Sequence, residues 1–113
     1  MALQDLTSDE QKIVLDCLNA SVEGPFFPDW EFSTLFGLSQ EEVRGVIQRW
    51  PVDDTSDETA ALAINNAMNN LLGYPHQENE AWRRYISAPQ EEVYTILKKW
   101  RGHDVNQYFD DMR

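Results

Sequence analysis

The sequence is short of several residue types on which common kinds of functional site depend. Its 113 residues include one cysteine, two histidines and five glycines, and no two glycines are adjacent. The lone thiol of Cys17 cannot form an internal disulfide, and this usage is typical of a reducing, cytoplasmic compartment. Isolated glycines do not build the loop that cradles phosphates in nucleotide-binding proteins. We therefore expect no cofactor.

Long apolar runs are absent as well. No run approaches the roughly 18 apolar residues that indicate a membrane-spanning helix, so no membrane contact is predicted. The first residues, MALQDLTSDEQK, lack a basic stretch followed by an apolar one, and we expect no signal peptide. Apolar residues nevertheless make up 42% of the chain and aromatic residues 12%, which is enough for the core of one folded domain.

Basic residues are scarce relative to acidic ones. Twenty acids against nine bases give a net charge of −11, and residues 1–51 alone hold nine acids and three bases. Such a surface repels nucleic acid and anionic membranes and attracts basic partners. We therefore expect no nucleic-acid partner. The same acidity also serves solubility without any specific partner.

Two segments of the sequence are similar at an offset of fifty residues. Residues 40–50 read QEEVRGVIQRW and residues 90–100 read QEEVYTILKKW. The alignment extends without gaps from 7–51 onto 57–101 and contains seven identical pairs, five of them within this one segment. A repeated structural unit would explain this similarity. Convergence is the alternative, because glutamates favour the first turn of any helix.

Apolar spacing predicts three helices in each unit and no strands. Capping boxes are predicted at Thr7 with Glu10, at Ser39 with Glu42 and at Thr55 with Glu58. We predict an all-α, single compact domain of about six helices, in which the pseudo-repeated three-helix units 7–51 and 57–101 share one core. The longest helices, about 7–22 and 56–72, should be central. An acidic tail, 103–113, should follow, with a short turn through Val105, Tyr108 and Phe109.

The two units differ most in the segment that follows the first helix. Phe26, Phe27, Asp29 and Trp30 lie in a segment bracketed by prolines, whereas the counterpart in the second unit is polar and includes His76. One interpretation is that the aromatic segment folds back onto the edge of the core. The other is that it forms a rigid surface that binds a partner, because exposed aromatic patches mark interaction sites.

Four asparagines distinguish the long helix of the second unit, namely Asn65, Asn66, Asn69 and Asn70. Helical geometry places them opposite the apolar face, although asparagine is a mediocre helix former. They form either a solvated or hydrogen-bonding face of the fold, or an amide-rich strip that recognises a partner.

Catalytic and metal-binding patterns are weak. His76 and His103 lie in loops or beyond a helix end, and neither is near a serine or cysteine nucleophile motif. His76, Glu78 and Glu80 could in principle approach a metal, but their spacing matches no helix-borne metal motif. The sequence therefore predicts neither an enzyme nor a metal site.

Two functional hypotheses follow from these observations. The first is a small acidic, non-enzymatic protein-interaction module, an adaptor, regulator or inhibitor that covers a basic surface of another protein. The second is a small-molecule-binding helical domain whose pocket lies between the two units and includes His76. A homodimer formed through the aromatic segment is compatible with either hypothesis.

Trp50 and Trp100 are predicted to be matched anchors of the two units. Burying each indole should stabilise the fold by on the order of a few kcal/mol. We therefore expect Trp100→Ala to destabilise the whole domain in one cooperative transition during chemical denaturation. Separate unfolding of the two halves would contradict a shared core.

Overall fold

A computed structural model describes the backbone of residues 2–111 and the side chains of residues 2–102. A short 3-10 turn at Leu3–Asp5 precedes six α-helices. These are α1 (Ser8–Glu23), α2 (Asp29–Phe36), α3 (Gln40–Gln48), α4 (Glu58–Gly73), α5 (Asn79–Tyr85) and α6 (Gln90–Asp111). The described residues contain no strand, so the prediction of one all-α domain is confirmed.

Helices α1 and α4 form the centre of the molecule, as predicted. They pack against each other through fully buried faces, which include Val14 and Leu18 of α1 and Ala63, Ile64 and Ala67 of α4. Every other helix contacts α1 or α4, so one continuous core runs through both halves of the chain.

Helix starts follow the predicted capping chemistry in two of three cases. Complete capping boxes form at Thr7 with Glu10 and at Ser39 with Glu42. The third prediction is wrong, because Asp57 caps α4 by accepting a hydrogen bond from the Ala60 backbone N–H at 3.1 Å. The hydroxyl of Thr55 instead donates to Asp53 in the preceding turn. Because the Thr55 hydroxyl is engaged with Asp53, it does not cap α4.

Helix positions recur at the offset found in the sequence. α4 begins and ends fifty residues after α1, and α6 begins fifty residues after α3. One side-chain contact recurs as well: Gln40 donates to Asp29 at 2.9 Å, and Gln90 donates to Asn79 at 3.0 Å. A common structural unit remains a prediction, since matching bounds do not establish that the halves superpose.

The two tryptophans are not equivalent, which corrects the prediction of matched anchors. Trp100 is 1% exposed and lies within α6, whereas Trp50 is half-buried and follows the end of α3 at Gln48. Because α3 ends early, Trp50 packs against the core from a loop and not from a helix face.

A buried carboxylate joins the beginning of the chain to α6. Asp54 is 7% exposed and accepts from the indole N–H of Trp100 at 2.7 Å. Both of its oxygens also accept from the backbone N–H of Leu3, at 3.0 and 3.1 Å. Ala2, Leu3 and Leu6 are buried beside it, so the first residues belong to the core.

An ion pair connects α6 to α1. The Nζ atom of Lys99 lies 2.8 Å from Oε1 of Glu10. The Lys99 ammonium and, second, the Thr7 backbone hold the pKa of the Glu10 carboxyl below its usual range. Because this pKa is lower in the folded than in the unfolded chain, the contact stabilises the fold at neutral pH. That stabilisation is lost as the pH falls through the lowered pKa.

Helix α6 is interrupted at Gly102, where φ is 81° and ψ is 177°. A positive φ of this kind suits glycine, which has no Cβ to clash. The side chains of the predicted acidic tail, including His103, Val105, Tyr108 and Phe109, lie outside the described residues. No helix in the described part of the chain is both long and apolar enough to cross a bilayer.

Replacing the buried Asp54 tests how much the fold depends on it. In Asp54→Asn an amide N–H would face the N–H of Leu3 or Trp100, leaving a buried donor without an acceptor. We expect a loss of about 1–3 kcal/mol in the free energy of unfolding, measured in urea by tryptophan fluorescence. Asp5→Asn removes the same charge at an exposed position and should have little effect. Equal stability of both variants would contradict the role assigned to Asp54.

Candidate functional site

The aromatic segment between α1 and α2 divides into a buried and an exposed part. Phe26 is 1% exposed and meets the ring of His76 edge-on, with centroids 4.9 Å apart. Phe27 is also buried and meets Phe36 and Tyr74 in the same way. The segment thus folds back onto the core. The two phenylalanines are therefore removed from the partner-binding surface that the sequence suggested.

Trp30 is the exposed member of the segment. It is 80% exposed, the highest value among the large apolar side chains that the structure describes. It lies in the first turn of α2, and the buried Phe32 and Phe36 occupy the opposite face of that helix. Because Phe32 and Phe36 form the face of α2 that points into the core, helical periodicity directs the indole of Trp30 towards solvent.

Acidic residues lie next to Trp30 in the chain and in the first turn of α3. Asp29 and Glu31 flank Trp30 in the chain, and the phenol of Tyr74 donates to Glu31. The hydrogen bond from Gln40 to Asp29 brings the first turn of α3 beside that of α2. We refer to Trp30 with Asp29, Glu31 and Glu41 as the Trp30 surface. Within the described side chains, none of its carboxylates is paired with a lysine or arginine.

The asparagines of α4 make contacts within the fold. Asn66 donates to the backbone oxygen of Phe36 at 2.7 Å, and Asn70 donates to that of Leu35 at 3.0 Å. The last carbonyls of a helix have no partner inside the helix. The two amides supply partners at the end of α2 and fasten it to α4.

The remaining two asparagines hold α6. The guanidinium of Arg101 donates to Asn65 at 3.0 Å and to Asn69 at 3.2 Å. Desolvation lowers the pKa of Arg101, which stays charged in all ordinary conditions. All four asparagines therefore hydrogen-bond inside the molecule, which favours the structural interpretation of this face.

His76 has no ring nitrogen available for a ligand. Its Nδ1 accepts from the backbone N–H of Glu78 at 3.0 Å, which assigns the proton to Nε2. Nε2 then donates to the backbone oxygen of Leu71, also at 3.0 Å. The ring packs against Phe26 and Trp82. These contacts give His76 a structural role at the end of α4, in place of the ligand-binding role suggested by the sequence.

A surface cleft lies between α5 and the start of α6. Its volume is about 530 Å³, and residues 79–91 contribute its whole lining. It therefore lies within the second unit, not between the units, and neither His76 nor the asparagines of α4 line it. Arg83 is the one cationic residue that lines the cleft, and no sequence pattern indicated it as a site residue. The only difference visible in the sequence is that the matching position of the first unit is a serine, Ser33.

Reactive and metal-binding groups do not form a centre in the described part of the chain. Cys17 is fully buried, and burial raises the pKa of its thiol, which makes the nucleophilic thiolate unfavourable. No group of three histidine, cysteine, aspartate or glutamate side chains among the described residues is arranged to hold a metal ion.

Comparison with protein-family models, with curated proteins and with solved structures finds no match for this chain. The features that bear on function are therefore the chain's own: the Trp30 surface, its charge and the cleft beside α5.

The amide contacts of α4 can be tested by paired substitutions. Asn66→Ala removes the partner of the Phe36 carbonyl from a part-buried hydrogen bond, so we expect a loss of about 1–2 kcal/mol in unfolding free energy. Asn69→Ala removes only an exposed hydrogen bond from Arg101, so it should change stability by no more than about 0.5 kcal/mol. Urea denaturation followed by circular dichroism measures both. An Asn66→Ala variant as stable as Asn69→Ala would contradict a structural role for this amide.

Proposed function

We propose that this protein is a small, acidic, non-enzymatic interaction module that binds a basic partner protein through the Trp30 surface. The observation that carries the proposal is the 80% exposure of Trp30 between Asp29 and Glu31, neither of which forms an ion pair with a described lysine or arginine. Such a module would act as an adaptor, regulator or inhibitor by covering a basic region of its partner. The buried thiol of Cys17 supports a cytoplasmic, reducing setting.

The chemistry of the surface selects the partner. A tryptophan presents a large apolar area at low entropic cost and is enriched among the residues that dominate binding energy. Its electron-rich face also attracts lysine and arginine cations. Asp29, Glu31 and Glu41 add ion-pair acceptors at its edge. A basic protein can therefore satisfy the indole and the carboxylates together.

The charge of the whole molecule supports the same partner. A net charge of −11 attracts a basic protein over several ångströms before contact, which raises the association rate at low ionic strength. At about 0.15 M salt this attraction is screened beyond about 8 Å. Binding should therefore weaken as salt is added, with the association rate falling most.

A pull-down tests the proposal: the immobilised protein and matched variants of it are incubated with extracts of its source cells. A basic protein retained by the parent chain at low salt should be released as salt is raised. Trp30→Ser should lose it, because the apolar anchor is gone. Tyr94→Ser, which truncates an aromatic side chain that is 50% exposed and lies outside the Trp30 surface, should retain it.

A second pair of variants separates local from overall charge. Glu41→Lys and Glu91→Lys change the net charge equally, and both residues are exposed in the first turn of a helix. Only Glu41→Lys should reduce retention strongly, because only Glu41 belongs to the Trp30 surface. Equal loss in both variants, or retention unaffected by Trp30→Ser, would contradict binding through this surface.

A further inference from the structure

The cleft between α5 and α6 has an apolar floor of useful size. Trp82, Ile86 and Ala88 are buried residues that line it, and Pro89 forms part of its wall. The indole N–H of Trp82 is already satisfied by the Ala88 backbone oxygen at 2.7 Å. The small part of the indole that reaches the cleft, in a residue only 4% exposed, therefore offers a ligand an apolar edge and no unpaired donor. A volume of about 530 Å³ lies within the range of small-molecule sites.

Hydrogen-bond donors meet at one end of this cleft. Arg83 is exposed on α5 and, among the described side chains, takes part in no ion pair. Asn79 accepts from Gln90 through Oδ1, which leaves its amide N–H groups free to donate. Both Arg83 and Asn79 also line a smaller adjoining depression of about 470 Å³, so both are accessible from the same side.

Acidic residues limit where an anion can sit. Glu91 lines the cleft at the α6 side, and Glu80 lines the adjoining depression one turn before Arg83. These carboxylates repel a ligand that carries negative charge along its length. A single anionic group at the Arg83 end, followed by an uncharged body, is the arrangement that the lining accommodates.

We propose that the cleft binds a small organic carboxylate with an apolar body. The carboxylate pairs with the guanidinium of Arg83, whose planar fork suits two parallel hydrogen bonds, and accepts a further bond from Asn79. The apolar body lies against the exposed ring of Pro89 and the edges of Trp82 and Ile86 that reach the cleft. This site is separate from the Trp30 surface and does not depend on it. Such a carboxylate belongs either to a free small acid or to the C-terminus of a peptide.

Titration of the full chain with hydrocinnamate, followed by amide NMR spectra, tests the site. We expect saturable shifts for residues 79–91. Hydrocinnamamide, which keeps the apolar body and lacks the charge, should bind about tenfold more weakly, because a charge-assisted hydrogen bond is lost. A short peptide ending in phenylalanine, with a free or an amidated C-terminus, separates the two sources. Tighter binding of the free-ended peptide indicates a peptide C-terminus, and tighter binding of hydrocinnamate indicates a free acid.

Neighbouring arginines provide the matched control. Arg83→Gln should weaken hydrocinnamate binding about tenfold, whereas Arg84→Gln, an identical charge change outside the lining, should leave it nearly unchanged. Glu80→Gln should strengthen binding by removing the nearest repulsion on α5. Unshifted signals elsewhere in the spectrum show that each variant is folded. Absence of saturable shifts, equal binding of the amide or equal weakening by both arginine variants would overturn the proposal.

Discussion

The contact between α1 and α4 is the constraint on which the rest of the molecule depends. Ala63 and Ala67 are fully buried on α4, and the buried faces of the two central helices account for much of the core. Every other helix is placed by packing on one of these two. Polar side chains then fasten the outer helices at their ends, as Asn66 does for α2 and as Asp16, which accepts from Ser87, does for the end of α5.

Acidic residues serve two different purposes in this fold. Asp54 is buried and accepts three hydrogen bonds, which bind the first residues of the chain to Trp100. Most of the other carboxylates are exposed and leave the molecule with an uncompensated negative surface. Asp54 stabilises the fold, because its buried carboxylate oxygens are all hydrogen-bonded. The exposed carboxylates give the surface an electrostatic preference for basic partners.

The two candidate binding regions arise from how the short helices are packed. Phe27 packs against Phe36 of α2 and Phe26 packs against Trp82 of α5, whereas the next aromatic residue, Trp30, is left exposed beside acidic residues. The turn after α5 is held by Trp82, and the bend into α6 leaves a cleft with Arg83 at its end. The charged members of the Trp30 surface are all carboxylates, whereas the cleft combines Arg83 with Glu91, which suits the two regions to different ligands.

Local patterns in the sequence determined the number of helices, their positions and two of the three capping boxes, because periodicity and caps depend on residues a few positions apart. The exposure of Phe26, Phe27 and Trp30 was decided only by the tertiary structure, since the partners of the two phenylalanines, including Tyr74 and His76, lie about fifty residues away. The same holds for the asparagines of α4, since Asn66 and Asn70 donate to carbonyls of α2 while Asn65 and Asn69 accept from Arg101 on α6. The cleft was also beyond sequence patterns, because its lining is assembled by a bend between two helices. Local chemistry specifies elements, whereas contacts between distant residues decide which side chains remain at the surface.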